Sequence, residues 1–349
     1  MRDDNPILTR IFRDGRLESM HRGAWVLVDT AGNIVDCAGD PEQQLFPRSA
    51  SKSLQALPLL ESGASDAYGF DDRHLALALA SHSGEDVHVE VASDGLRRLG
   101  LDESALQCGP QRPRDSRSNE PASRILNNCS GKHVGFLATA MQLGDAPDRY
   151  LQPNSAVQRA VGAAVAEVTG LGVADLGVAI DGCSAPTFRL PLRNLALGLG
   201  RVATPPDDWS PVRRDACRRL TAAASRHPVL VAGTWDRLCT RLLQVSSGRV
   251  FGKIGAEGVY VFGVVDADLG FAGKIDDGGV RGLHYVVLDV LARHALLGSD
   301  ELAVLRAEFA PEVLTNWDGI EVGAVEVCGP DADRRRERTS NVGAAPVDR

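Results

Sequence analysis

The sequence predicts an α/β protein in which an antiparallel sheet packs against helices. Three observations lead there. AWVLVD (24–29), the turn TAGN (30–33) and IVDCAG (34–39) read as a hairpin near the start of the chain. Three β-rich runs follow one another near the other end: RVFGKIGAE (249–257), GVYVFGVVD (258–266) and LGFAGKID (269–276). Helical patterns fill the chain between them, and strands gathered into hairpins with helices between favour an antiparallel sheet over a parallel one. A doubly wound parallel fold is disfavoured, since no GxGxxG follows a first strand and no phosphate-binding loop is present.

The elements are taken in chain order. SKSLQALPLLESG (51–63) reads as a helix, with Ser49 or Ser51 near its cap and Gly63 after its end. RHLALALA (73–80) is apolar, and periodicity leaves it open between helix and strand. The polar stretch 108–121 is a loop by its Pro, Gly and charges. NCSGKHVGFLATAMQLG (128–144) reads as a loop entering a helix, with Asn127 and Asn128 placed to cap it. SAVQRAVGAAVAEVTG (155–170) is a helix, and LGVAID (176–181) is read as a buried strand running into GCSAP. WSPVRRDACRRLTAAASR (209–226), AGTWDRLCTRLLQV (232–245) and GLHYVVLDVLARHALLG (282–298) complete the helices. The expected organisation is one domain over 1–330 and a polar, disordered tail over 331–349 that carries RRRER (334–338).

Composition excludes several classes. With 44% apolar and 24% charged residues the chain is an ordinary globular one. A net charge of −8 argues against a nucleic-acid partner. No apolar run of about 18 residues exists to cross a membrane. The N-terminal MRDDNPILTRIFRDGRLE lacks the apolar stretch of a signal peptide, so a cytoplasmic location is expected. In that compartment the seven Cys are read as thiols, and no CxxC pair is present. The oddest feature is cation usage: 34 Arg and four Lys, at 52, 132, 253 and 274. Arginine cannot lose its proton in a protein and lysine can, so a position that keeps lysine is a candidate for a neutral amine.

Five stretches carry candidate chemistry. Ser49-Ala-Ser-Lys52 sets a hydroxyl and an amine three residues apart, on one face of a helix. A neutral Lys52 could then activate Ser49, as in the Ser-x-x-Lys of serine β-lactamases; the bland alternative is a capping Ser and an exposed Lys. ALASHSGED (78–86) places Ser81, His82 and Ser83 at the end of an apolar element, where a plain turn is the competing reading. NNCSGKH (127–133) brings Cys129, Lys132 and His133 to one helical face; free Cys alone is more often a small buried hydrophobe. AIDGCSAP (179–186) ends a strand in Asp181 and Cys183, a site edge or a tight turn. FGKIGAEG (251–258) sets Lys253 among glycines that permit close approach by a ligand, while Lys274 beside Asp276 and Asp277 reads better as a salt-bridged turn. By donor chemistry alone Cys129, His133 and Cys183 would be the zinc ligands.

RSASK, ASHSGE, NNCSGKH, DGCSAP, KIGAEG and KIDDGG, in this order, resemble the bacterial L-asparaginase II family, the thermolabile Rhizobium-type class, over roughly residues 10 to 330. The resemblance implies a fold like that of serine β-lactamases and glutaminases, a homodimer, and hydrolysis of L-asparagine to L-aspartate and ammonia. It implies two Ser–Lys pairs, Ser49 with Lys52 and Ser81 with Lys253. It implies a zinc ion on Cys129, Lys132 and Cys183, so the third ligand differs from the one donor chemistry selects. Arg48, His133 and Asp181 fall in the same motifs and are expected to line the substrate pocket. Cys239 in RLCTRLL (237–243) departs from the aspartate expected there. Two other classes stay open at this level: a β-lactamase-like or peptidase-like Ser-x-x-Lys hydrolase, and a non-catalytic zinc-stabilised ligand-binding protein.

Overall fold

The computed structural model describes residues 5–114 and 120–329; the tail expected over 331–349 lies outside the described residues. The strands are β1 (Ile7–Arg13), β2 (Arg16–Asp29), β3 (Ile34–Ala38), β4 (Gln44–Leu45), β5 (Gly177–Ile180), β6 (Pro186–Pro191), β7 (Val250–Ile254), β8 (Val259–Val264), β9 (Leu269–Ile275), β10 (Val313–Thr315) and β11 (Glu321–Val327). Eight of them form one sheet in the order β10-β11-β1-β2-β9-β8-β7, with β3 also on β2, and its pairings are antiparallel. A second sheet of three runs β4-β6-β5. The mixed α/β class with an antiparallel sheet is therefore the one expected.

Strand alternation puts Gly270 and Phe271 of β9 on opposite faces of the large sheet. The helix Leu192–Ala203 covers the Gly270 face. It can lie that close because Gly263 and Gly270 lack side chains; a Cβ at either would collide with the carbonyl oxygens of Leu199 or Ala196. The helix Val280–Arg293 covers the other face, where Phe271 stacks on Phe262 with ring centroids 4.6 Å apart and Arg293 lies 5.2 Å over Trp25. A helical layer, including Asp72–Ala78, Asp86–Arg98, Ser130–Gln142, Ala156–Thr169 and Pro211–Arg226, shares the same core.

Four readings change. The helix expected over 232–245 forms only over Leu238–Val245. The expected helix over 51–63 is a 3₁₀ turn (Arg48–Ser51) followed by two short helices, Lys52–Gln55 and Leu57–Glu61. Pro58 lacks the N–H that a continuous helix would need, so it opens a new helix instead. The 176–181 strand exists as β5, but it is an uncovered edge: Val178 is 59% and Ile180 83% exposed. The apolar run at 73–80 resolves to a helix, Asp72–Ala78, whose cap Asp71 accepts from the N–H groups of Arg73 and His74. Strands β1, β4, β6, β10 and β11 and the helices Asp86–Arg98, Leu192–Ala203 and Ser299–Phe309 are among the additions. Among the described residues no helix is long and apolar enough to cross a membrane.

Candidate active site

Ser81 leaves the end of the Asp72–Ala78 helix in a fixed segment. Its N–H donates to the Val231 carbonyl at 3.0 Å, and the N–H of His82 donates to Asn128 at 3.2 Å. The Ser81 Oγ lies 3.1 Å from Lys52 Nζ and 2.8 Å from Lys253 Nζ, so one hydroxyl bridges two amines. Both lysines are fully buried. Lys52 also donates to the carbonyls of Ala80 (2.5 Å) and Asn128 (3.4 Å), and Lys253 to that of Ile254 (2.9 Å). Arg237, also buried, donates to the Ser81 carbonyl. Burial pushes Lys253 down to about 7; Cys239 and Cys129 oppose this, and the positive charges of Lys52 and Arg237 add to it.

Ser49 sits half-buried in the 3₁₀ turn. The Lys52 backbone N–H donates to the Ser49 carbonyl, but among the described residues no hydrogen bond joins the Ser49 hydroxyl to the Lys52 amine, which is taken by Ala80, Ser81 and Asn128. Ser51, three residues from Arg48, spends its hydroxyl on the Arg48 carbonyl at 3.0 Å. Arg48 has φ +52°, a left-handed conformation that costs a side-chain-bearing residue energy and that gathers at functional sites. The turn is pressed from below by the end of β7: a Cβ at Gly255 would collide with the Pro47 carbonyl. The Arg48 guanidinium pairs with Asp181. Burial works against ionisation of Asp181, but Lys132 and Arg48 outweigh it and hold the carboxyl below its ordinary range.

A second cluster adjoins the first. Lys132 Nζ lies 3.1 Å from Cys183 Sγ, and Cys129 Sγ lies 3.0 Å from Asn128 Oδ1. A hydrogen bond from Cys129 brings the Cys183 thiol down to about 5 against its own burial, with Lys132 and Lys52 assisting. The same bond and burial push Cys129 up to about 12. Burial opposes the charge on Lys132, yet Cys183, Cys129 and Asp181 together raise it above the ordinary lysine range. His133 turns elsewhere: its Nδ1 is 2.6 Å from the Tyr150 hydroxyl, and burial, then Lys132, lowers it to about 3. Among the described residues no group of three or more His, Cys, Asp or Glu is arranged to hold a metal. The donors that do converge are two thiols and an amine.

A cleft of about 640 Å³ reaches the candidate site at Arg48 and is otherwise lined by residues outside it, among them Phe46, Ile180, Thr187, Arg189 and Lys274. Lys274 belongs to its rim, donating to the Glu257 carbonyl at 2.7 Å and to that of Ile275. Asp276 accepts from Asn5 at 3.0 Å, and Asp277 meets His21 at 2.7 Å. The KIDDGG stretch is thus a tied turn, with the lysine on carbonyls rather than on the aspartates.

Three residues near the chemistry, Arg237, Cys108 and Tyr150, carried no signal in the sequence, and a fourth, Cys239, was marked only as a departure from an expected aspartate. Arg237 was one arginine among 34. Cys108 is buried, with Cys129 and Cys183 among its electrostatic neighbours, and burial pushes it up to about 12. Cys239 Sγ accepts the Ile254 N–H at 3.2 Å, a contact to the strand that carries Lys253. Tyr150 is distant in sequence from the histidine it holds.

A profile of the L-asparaginase II family matches residues 9–327. Among curated proteins no match is found. Among solved structures, one of Mglu aligns over 79% of this chain and 67% of its own, at 14% identity and a TM-score of 0.46. A β-lactamase, Mb2281c from Mycobacterium bovis, aligns over 78% of this chain and 94% of its own, at 17% identity and a TM-score of 0.43.

Proposed function

The chain belongs to the L-asparaginase II family, which makes it an asparaginase-type amidohydrolase with a small-molecule amide substrate, and from that premise we propose that it hydrolyses the side-chain amide of L-asparagine to L-aspartate and ammonia through an acyl-enzyme. The observation that carries the mechanism is the Ser81 hydroxyl bridging two buried lysine amines. A proton relay needs one amine free of its proton near neutral pH, and Lys253, held to about 7, supplies it.

In this reading Ser49 attacks the side-chain carbonyl carbon. Lys52 passes a proton through the Ser81 hydroxyl to the free Lys253 amine and takes the proton of Ser49 in its place. The carbon–nitrogen bond breaks, the relay protonates the departing nitrogen, and ammonia leaves. Water then cleaves the aspartyl ester and returns the proton to Ser49. Backbone N–H groups at the start of the 3₁₀ turn hold the oxyanion, a contribution of about 3–4 kcal/mol per donor in comparable enzymes. Arg48, paired with Asp181 at the mouth, exchanges part of that pairing for the substrate α-carboxylate, and Asp181 is left for the α-ammonium.

A second reading has Ser81 as the nucleophile, favoured by its 2.8 Å contact with the amine that titrates near neutrality. Ammonia release from L-asparagine, with L-glutamine in parallel, is measured for wild type, Ser49→Ala and Ser81→Ala. The primary reading expects both variants to lose about 10²-fold or more, and quenched wild-type turnover to leave an aspartyl mass on the Ser49 peptide. An adduct on Ser81 reverses the assignment. No ammonia from either amide sinks the substrate.

Cys129, Lys132 and Cys183 would hold zinc. Cys183 fits as it stands, because a low-pKa thiol is the form that binds; Cys129, pushed up to about 12, and Lys132, raised by the neighbouring thiols and Asp181, would each release a proton on binding the ion. Bound zinc would supply a fixed positive charge that polarises or orients the substrate. A homodimer belongs to the same proposal, and sedimentation equilibrium at micromolar concentration tests it.

A further inference from the structure

The residue that holds His133 is Tyr150, and counting protons at that contact assigns the histidine a role. The Tyr150 ring stands edge-on to the imidazole, with centroids 5.5 Å apart. Its backbone is anchored by Gln158 Nε2, which donates to the Tyr150 carbonyl at 2.8 Å. Its hydroxyl oxygen receives the backbone N–H of Gln107 at 2.7 Å and lies 2.6 Å from His133 Nδ1. Gln107 is itself tied down by its side chain, which donates to the Asp148 carbonyl at 2.7 Å. Both rings are fully buried.

A backbone N–H can only donate, so the Tyr150 oxygen is an acceptor toward Gln107. A phenol carries one proton of its own. If Nδ1 also carried a proton it would donate to the same oxygen, and the buried O–H would have no acceptor. The arrangement that satisfies every group has Tyr150 donating to Nδ1. A doubly protonated ring is disfavoured by the same count. The ring proton then sits on Nε2, and Nε2 is buried with no hydrogen-bond partner among the described residues. Orphaned buried donors are rare enough to require an explanation. The electrostatic neighbours of the ring are Lys132, Cys129, Lys52 and Asp181, the groups that surround the proposed chemistry.

We propose that Tyr150 is a positioning residue that locks His133 as the Nε2–H tautomer, and that this N–H donates to an oxygen of the bound amino-acid amide. The second half rests on the amidohydrolase reading above; the tautomer does not. A protonated Nε2 has no lone pair for a metal, so the same lock removes His133 from the candidate ligands beside the two thiols.

The test is nitrogen NMR on protein labelled with ¹⁵N-histidine, the His133 signals being identified by their loss in His133→Gln. The expected spectrum has a protonated Nε2 and a bare Nδ1, and L-aspartate, used as the product probe, shifts the Nε2 signal. Tyr150→Phe is expected to lose the tautomer preference and to raise KM for L-asparagine about tenfold, the scale of one hydrogen bond, with kcat changed by less than about threefold. His133→Gln, whose amide reaches the Nε2 position, retains binding, and His133→Asn, which reaches only Nδ1, does not. A wild-type spectrum with the proton on Nδ1 overturns the lock. A correct tautomer that L-aspartate leaves unmoved, with KM unchanged in Tyr150→Phe, overturns the substrate contact. If no amide yields ammonia while the tautomer is as expected and changes in Tyr150→Phe, the lock stands and the function reading is the part that fails.

Discussion

Lys253→Met separates the function of a buried amine from its energetic burden. The native amine is held near 7 against an ordinary value of 10.5. At pH 7 about half of the molecules then have a free amine, against roughly one in 3,000 for an ordinary lysine. The unfolded chain therefore binds a proton that the native state lacks between those two values, and stability rises with pH across that window. The penalty is fully present below pH 7 and absent above 10.5. Its size, from the shift, is about 5 kcal/mol. Methionine removes it but forfeits the bonds to Ser81 and Ile254, a loss of about 2 kcal/mol. The variant should be about 3 kcal/mol more stable than wild type at pH 6, equal to it near pH 9, and less stable above, by the same arithmetic. It should also release no measurable ammonia. Urea unfolding at pH 6, 7.5 and 9 reads the stability, and the ammonia assay reads the function. A variant less stable at pH 6, or a difference that does not change with pH, refutes a neutral Lys253. For wild type the same titration predicts kcat/KM falling about tenfold per pH unit below 7; a flat profile from pH 5 to 8 points to the same refutation.

Two further outcomes follow from the site. Cys183→Ser replaces the thiol held near 5 by a hydroxyl that stays protonated, so bound zinc, measured by elemental analysis after loading and dialysis, should fall more than about tenfold; retained zinc would move the metal to other ligands. Gly255→Ala drives a methyl into the Pro47 carbonyl beneath the turn that carries Arg48 and Ser49. It should destabilise by about 1–3 kcal/mol and raise KM for the amide, and a variant with wild-type melting and kinetics would show that β7 and the turn are free to separate.

What the sequence disclosed and what it hid have physical reasons. The N-terminal hairpin and the run β7-β8-β9 were legible because the strands there are dense in Val, Phe and Ile between turn residues. Strands β1 and β11 pair with each other at the half-covered end of the sheet, where β11 alternates weakly and gives no period-2 signal. The burial of β5 could not be read at all, since the same apolar letters serve a covered strand and an open edge. Among the candidate residues, lysine scarcity was the informative signal. Lys52, Lys132 and Lys253 are 0%, 2% and 0% exposed, in a residue type that is almost never fully buried, and the fourth lysine, on the rim, uses backbone carbonyls. Spacing was a weaker guide. An i,i+3 argument places Ser49 and Lys52 on one face of a regular helix, but the helix here begins as a 3₁₀ turn, and a lysine side chain is long enough to pass its neighbour. The Ala80 and Asn128 carbonyls draw the Lys52 amine to Ser81. The face of a short polar residue follows from spacing, whereas the end of a lysine follows from the acceptors within its reach, and these come from segments distant in sequence.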